Sequence, residues 1–421
     1  MSDVTQIVVT GIGVVSPIGI GIEPFWSSLR EGTSGVGPYS LLQGTEMPVR
    51  FGGEIKDFDA KQYVTPRKSL KVMSHEIQLG FAAAAMAVEQ AGVGSGRVDP
   101  DRFGVLFGSE MLYGPLDELK DVYQRCKVDG EIDPNLWAEQ AMSNIYPLWM
   151  LKYLPNMAAC HIGIANDARG PNNSITHGDV SSLLAIIEAM HIIQRGHADV
   201  MIAGGVGSRL DPTQLLYRGD SNLSHREDDP AAASRPFDAA RDGMVNGEGA
   251  GAWVLERREH AERRGAAALA TIRGYGRSYD SRMTPKPATG IAIRRSIAQA
   301  LGVAGLEADG IGHVNAHGLA TIHEDPLEAQ AIRDCLGDVP VTALKSFFGN
   351  LGPGGGAVEA AASVMALQHD EVPRTLNYET PDPACPVNVV HGESLVGAKP
   401  TAMILSQAGP GQAAAIVLSR D

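Results

Sequence analysis

The run Gly170-Pro-Asn-Asn-Ser-Ile-Thr-His-Gly-Asp179-Val-Ser-Ser-Leu-Leu-Ala-Ile-Ile-Glu188-Ala-Met-His191-Ile-Ile-Gln-Arg-Gly196-His-Ala-Asp-Val-Met-Ile-Ala-Gly-Gly205 decides how this chain folds. It reads as a short strand, a sharp turn and a helix. From Leu183 to Ile193 only Glu188 and His191 are strongly polar, so the helix has little face to give to water and belongs at the centre of the fold. Gly196 stops it, and Asp199 to Gly205 is an apolar strand closing on paired glycines. The turn before the helix is chemically special, because unpaired N–H groups and the helix dipole favour negative charge there. A cysteine in that turn would be a nucleophile of depressed pKa. This chain has Asp179, a good N-cap residue, which in that role alone would stabilise the helix by about 1 kcal/mol.

Working outward, 421 residues exceed a usual single domain, so two lobes or a duplicated fold are expected. The 49 glycines suit a large core built around tight turns, and the net charge of −14 argues against nucleic-acid or anionic-membrane binding. Only Cys126, Cys160, Cys335 and Cys385 occur, without metal-binding spacing, which points to a reducing compartment and no metal. No basic leader precedes the first apolar strand and no run reaches the length of a membrane span. The expected location is the cytoplasm.

The opening Ile7 to Gly19 reads as a buried strand, Ile7 to Thr10, followed by a glycine-rich turn. Gly11 and Gly13 suggest a dinucleotide fingerprint, but the pattern breaks at Ser16-Pro17 and no helix follows directly. Helix signals run from Lys71 to Ala91, and a strand from Phe103 to Gly108. Tyr113 to Ile145 is a polar excursion suited to a cap or a dimer contact, and the pattern does not choose between them. A glycine-rich strand ends at Glu256, the charged helix Arg257 to Arg264 connects to a second half, and strands follow near Gly312 to Ala316, Val341 to Ala343, Ala402 to Leu405 and Ala413 to Leu418. Alternation of this kind argues for an α/β fold.

Several motifs, in order, resemble the β-ketoacyl-acyl-carrier-protein synthases of the thiolase superfamily. The N-terminal segment with Phe25-Trp26 and Leu29 is similar to theirs, as is Arg241-Asp-Gly-Met-Val-Asn-Gly-Glu-Gly-Ala-Gly251. The central run resembles their nucleophile turn, usually written Ala-Cys-Ser/Thr-Ser. With Gly170-Pro171 and Ala203-Gly204-Gly205 as anchors, Asp179 falls on the family's cysteine. The resemblance covers Ile7 to Leu418 and implies a thiolase-like five-layer αβαβα fold of two related halves, residues 3–256 and 265–420. It also implies that the strand Asn172 to Thr176 pairs with its counterpart across a two-fold axis.

The same resemblance carries over to the later loops. Val314-Asn-Ala-His317-Gly-Leu319-Ala-Thr321 is similar to Val-Asn-Ala-His-Gly-Thr-Ser-Thr, so His317 is retained, while Leu319 and Thr321 fall where two threonines hold the phosphopantetheine arm. Leu344-Lys345-Ser-Phe-Phe-Gly-Asn350 resembles Thr-Lys-Ser-x-x-Gly-His, with Lys345 retained and the histidine become Asn350, as in the Cys-His-Asn enzymes of the superfamily. Glu328 falls where the family places a carboxylate that partners the lysine. The gating loop reads Leu405-Ser-Gln407-Ala-Gly-Pro-Gly-Gln-Ala413, without its two phenylalanines, and Gln407 is a candidate substrate contact. Cys160, beside His161, is rejected as a substitute nucleophile, because neighbours in an extended segment point apart and no helix start is signalled there.

Claisen condensation needs a thiolate to carry the acyl chain and neutral donors for the enolate. With Asp179 in the thiolate's place, the resemblance implies a non-condensing homologue, like the chain-length-factor subunits that pair with an active ketosynthase in type II fatty-acid or polyketide synthesis. The alternatives are a decarboxylase or hydrolase of acyl thioesters in which Asp179 and His317 form an acid–base pair with Asn350, and a condensing enzyme despite the substitution. No bound cofactor is expected; a phosphopantetheine-linked acyl carrier protein is the expected substrate or partner. The small basic group Arg67, Lys68 and Lys71 is either a solvated face or the dock for that acidic carrier. The assembly is expected to be a homodimer, or a heterodimer with a cysteine-bearing ketosynthase.

Overall fold

The computed structural model describes residues 5–110, 114–115, 117–280, 289–409 and 411–421. Its frame is a twelve-stranded sheet. The first half supplies β1 (Ile7–Ser16), β2 (Phe103–Gly108), β3 (Asn172–Ile175), β4 (Val200–Ser208) and β5 (Glu248–Arg257). The second supplies β6 (Ala270–Tyr279), β7 (His313–Asn315), β8 (Pro340–Thr342), β9 (Asn388–Val389), β10 (Thr401–Gln407) and β11 (Gln412–Ser419). The two-residue strand Gly19–Ile20 pairs only with β1.

The spatial order is β9-β8-β7-β10-β11-β6-β1-β5-β4-β2-β3. Within the first half this is third, second, fourth, fifth, first; within the second half, leaving the edge strand β9 aside, it is the same sequence of ranks. The directions match as well. In each half the second strand runs parallel to both its neighbours, and the fourth, fifth and first are antiparallel. The fold is therefore two copies of one αβ plan joined where β1 meets β6.

Helices complete five layers. Helix α1 (His75–Ala91) packs with Met157–Asn166 on the outer side of the first half. Helices α2 (Ser181–Gln194) and α4 (Gly355–His369) lie between the halves, and Ile291–Ala304 with α3 (Glu324–Leu336) covers the second. The central pair is apolar almost all round, as Leu183 to Ile193 predicts. Leu183, Ile186, Ile187, Met190 and Ile193 are all buried, each contributing roughly 1.5–3 kcal/mol by removal from water. The Ser182 hydroxyl accepts the Ala357 N–H at 3.1 Å and ties α2 to the start of α4.

Several local expectations change. Ile7 to Ser16 is one strand, with a register shift between Val9 and Gly11, rather than a strand and a turn. Its glycines serve helix packing: a Cβ on Gly13 would lie 1.9 Å from the Ala83 carbonyl oxygen of α1. The dinucleotide reading fails for that reason. Helix α1 starts at His75, capped by the Ser74 hydroxyl, and not at Lys71; Arg67, Lys68 and Lys71 lie exposed on a 3₁₀ turn, Arg67–Val72. Cys160 sits in the helix Met157–Asn166 and not in an extended segment, its thiol 3.6 Å from Asn156 Nδ2. The charged connection is Arg258–Arg263, and β6, which follows it, carries no signal noticed in the sequence. Tyr113 lies outside the described residues; beyond it the excursion forms a helix, Asp117–Arg125, a two-strand hairpin and a second helix, Trp137–Asn144. Among the described residues no helix is long and apolar enough to cross a membrane.

The Gly13 contact yields a direct test. Gly13→Ala forces a methyl against backbone, and overpacking of this kind costs about 1–3 kcal/mol. The urea midpoint should fall accordingly, and an unchanged midpoint would show that α1 yields without cost.

Candidate functional site

Four chain segments meet where α2 begins. Asp179 lies in a 3₁₀ turn, Gly178–Val180, just before the helix; Arg209 follows the last residue of β4; His317 lies just beyond β7; Lys345 opens the short helix Lys345–Phe348, and Asn350 follows it on the way to α4. All five side chains are buried, Asp179 at 9% being the most exposed. The loops converge because the parallel strands of each half, β3, β2 and β4 in the first and β8, β7 and β10 in the second, end on the same side, where α/β sheets place their sites.

Asp179 is not a helix cap. No side chain caps α2; instead the Ser181 hydroxyl donates to the Gly178 carbonyl at 2.6 Å and accepts the His177 N–H at 2.8 Å. The Asp179 carboxylate turns away from the helix N–H groups. Its Oδ1 accepts from Arg209 Nη2, and its Oδ2 accepts from Asn350 Nδ2 at 2.9 Å, with His317 Nε2 3.9 Å away. Burial pushes the carboxyl upward, but Arg209, followed by His317, Asn350 and Lys345, more than offsets it and holds Asp179 at about 2. Ser406, the last residue but one of β10, donates to the Asp179 backbone carbonyl at 3.1 Å, which ties the turn to that strand.

The Asn350 amide is fixed by its partners. Its Oδ1 accepts the Gly352 N–H at 3.0 Å, so its Nδ2 must face Asp179, with Met244 Sδ at 3.7 Å. His317 is fixed by Lys345. The ammonium Nζ lies 3.2 Å from His317 Nδ1 and 2.8 Å from the His317 carbonyl, and it also donates to Glu359 Oε1. An ammonium has no lone pair, so Nδ1 is the acceptor and the ring proton sits on Nε2. Burial, and then Lys345, press the imidazole well below the usual histidine range against the opposing pull of Asp179. His317 is thus neutral and presents a single N–H toward Asp179, with no closer partner among the described residues.

Glu328 does not partner the lysine. It lies on α3 and accepts the backbone N–H groups of His317 at 2.7 Å and Gly318 at 2.8 Å, so it holds the loop that carries the histidine. Burial raises it to about 7. The partner of Lys345 is Glu359, the one acidic residue in the apolar helix α4. Asp325, one turn before Glu328, accepts from Phe237 and Thr321 N–H groups and fixes the far end of the same loop. Thr321 is engaged structurally, its hydroxyl accepting the Glu324 N–H at 3.2 Å, and Leu319 is buried. Gln407 lines a separate cleft with Asp280, Leu327 and Gly411; Pro410 lies outside the described residues. Arg67, Lys68 and Lys71 take no part in the cluster.

The residues not foreseen are Arg209 and Glu359. Both had a signal: each is a lone charge closing or interrupting an apolar element, and such charges are seldom buried without a partner. Together the cluster holds two ion pairs, Asp179 with Arg209 and Lys345 with Glu359, and two neutral donors aimed at one oxygen of Asp179.

The ion pair changes what Asp179→Asn should do. An asparagine caps about as well as an aspartate, yet it would strand a buried guanidinium, which costs about 3–5 kcal/mol. Chemical denaturation near neutral pH should show that loss. The Asp179 value is lowered on folding, so its stabilisation is present above the ordinary 3.8 and is lost as pH falls toward about 2. The difference between wild type and variant should therefore shrink over that window; a constant difference, or a neutral substitution, would contradict the ion pair.

Comparison with known proteins is consistent along the whole chain. The beta-ketoacyl synthase N-terminal domain family matches residues 4–261 and the C-terminal domain family residues 269–379. The 3-oxoacyl-[acyl-carrier-protein] synthase 2 of Synechocystis sp. is 36% identical over 397 residues, 92% of each chain. That of Vibrio cholerae is 35% identical over 392 residues, 91% of each. Among solved structures, the ishigamide ketosynthase/chain length factor superposes with a TM-score of 0.87 at 27% identity, covering 99% of both chains. A type II polyketide ketosynthase, AntDE, in complex with its acyl carrier protein AntF gives 0.85 at 29%, again over 99% of both. With the duplicated five-layer architecture and the His317 and Lys345 loops in place, the chain belongs to the beta-ketoacyl synthase family and has its thiolase-like fold.

Proposed function

We propose that this protein is a non-condensing member of the family, a chain-length-factor-like partner of a cysteine-bearing ketosynthase in cytoplasmic type II fatty-acid or polyketide synthesis. The observation that carries this reading is the state of Asp179. The resemblance of its turn to the family's nucleophile turn supports reading it in the cysteine's place, and its carboxylate is ionised, buried and paired with Arg209. A carboxylate so stabilised is a poor nucleophile toward a thioester, and the mixed anhydride would hydrolyse. Its Oδ2 also takes the Asn350 donor and faces the His317 donor, the two groups that would otherwise receive an enolate oxygen. The similarity to the ishigamide ketosynthase/chain length factor supports the reading, and the carrier complex of AntDE supports an acyl carrier protein as partner.

A second reading rests on a different observation: His317 Nε2–H stands 3.9 Å from Asp179 Oδ2 with no nearer partner among the described residues. A small displacement would make an acid–base pair acting on a carrier-bound thioester. Incubation of the pure protein with radiolabelled acyl- and malonyl-carrier protein separates the possibilities. Silence alone, with activity gained only beside a cysteine-bearing ketosynthase, is the expected result. Turnover without acylation would favour the acid–base pair, and stable acylation followed by extension would overturn the non-condensing proposal. In the same preparation, light scattering should show a dimer, because β3 ends the sheet with one edge unpaired; a stable monomer at micromolar concentration would argue against it.

Carrier docking is assigned to the exposed turn of Arg67, Lys68 and Lys71. Reversing Arg67 and Lys68 to glutamate should weaken binding of acyl carrier protein and flatten its salt dependence. An unchanged affinity would leave the turn as a solvated face.

A further inference from the structure

Arg209 is built into its place more firmly than an incidental partner of Asp179 would be. Its backbone N–H donates to the Gly247 carbonyl at 3.0 Å, and only 3% of the residue is exposed. The guanidinium lies between three walls. Nη2 bonds Asp179 Oδ1 and lies 3.9 Å from Glu110 Oε2, while the third wall is the backbone of Gly352, where a Cβ would stand 3.3 Å from Arg209 Nε and 3.3 Å from Glu110 Oε1. Gly352 has φ +58, so a side chain is disfavoured there on conformation as well. Nε and Nη1 are buried without a partner among the described residues, which leaves Asp179 and Glu110 as the only anions within 4.0 Å of this cation among them. Glu110 is anchored in turn by Arg218 Nη2 at 2.8 Å and by Gln214 at 3.5 Å, both on the helix Pro212–Arg218. Alternating charges thus run from buried Asp179 through Arg209 and Glu110 to the half-exposed Arg218.

We propose that Arg209 is a second barrier to acyl transfer at this site, separate from the residue at position 179, because it requires an anion there. This deepens the non-condensing reading, since it rests on position 179 being where an acyl group would be carried. The argument is electrostatic. Acylation of a thiolate turns an anion into a neutral thioester, and beside this guanidinium that change leaves a buried cation with Glu110 alone at 3.9 Å. A thiol placed at 179 would be held as thiolate by the same cation, and a thiolate so stabilised is a weaker nucleophile. Restoring a cysteine is therefore not sufficient to restore acylation. Arg209 acts here as a positioning residue that sets the charge state of its neighbour.

The test compares Asp179→Cys with the double variants Asp179→Cys/Arg209→Ala and Asp179→Cys/Arg209→Lys, using octanoyl-loaded acyl carrier protein and peptide mass spectrometry to distinguish the introduced thiol from the four native cysteines. In the step followed, the thiolate attacks the octanoyl carbonyl, the new C–S bond forms as the carrier's breaks, and the carrier thiolate leaves and is protonated by solvent. The Arg209→Ala double variant should be acylated about tenfold faster than the single variant or more, a barrier difference of about 1.4 kcal/mol, and Arg209→Lys should stay close to the single variant. The pH profile of iodoacetamide alkylation supplies a readout that a merely structural role would not move. In the single variant its midpoint should lie well below the ~8.5 of a free cysteine and should rise when Arg209 becomes alanine. Equal acylation rates would overturn the proposal. If a double variant does not fold, a midpoint at or above that of a free cysteine in the single variant would overturn it too. Condensation by the wild-type protein would instead sink the non-condensing reading, and the alkylation midpoint would still report on Arg209.

Discussion

Two helices with almost no polar face, Ser181–Gln194 and Gly355–His369, are buried between the halves of the sheet, and the placement of everything else follows from that. Little of either reaches water, so each needs a sheet on both sides, and duplication of one αβ plan provides it. Their N-terminal ends are drawn together by the Ser182 contact to Ala357. Asp179 precedes one helix and Asn350 the other, so the packing that buries the helices also presses these two side chains into contact.

Burial then dictates the chemistry of the cluster. Charges enclosed at this depth must be paired, and the structure pairs them twice, Asp179 with Arg209 and Lys345 with Glu359. The second pair fixes the histidine: an ammonium held by Glu359 can only donate to His317 Nδ1, which leaves a neutral ring with its proton on Nε2. The first pair occupies the space that this proton and the Asn350 amide face. Donors arranged as for a developing negative oxygen are here directed at a permanent one, the Asp179 carboxylate.

The loop carrying His317 is held from beneath by two carboxylates of one helix face, Asp325 and Glu328, each accepting two backbone N–H groups. Gly318 and Ala320 both have positive φ, at 44° and 64°, a conformation that costs an alanine energy and persists only where its surroundings impose it. The carboxylates provide that imposition. Glu328 thus holds the backbone of the histidine loop and is not the lysine partner that the motif suggested.

The sequence by itself determined the central helix, the strands on either side of it, the thiolase-like fold and the loops of His317, Lys345 and Asn350. These rest on local patterns: an apolar run with no polar stripe, glycines where backbones touch, and motifs a few residues long. What only the tertiary structure decided is which charges meet. Asp179 looked like a helix cap because the pattern Asp-Val-Ser-Ser before an apolar run is a capping pattern; its partner Arg209 lies 30 residues away across a strand crossover, and a buried guanidinium outcompetes the N–H groups of a helix end. Glu359 was likewise hidden within an apolar helix, 14 residues beyond the lysine it pairs with. Periodicity reports which face of an element is buried. It carries no information about which buried charges are neighbours, because that depends on how the two halves of the sheet close around the central helices.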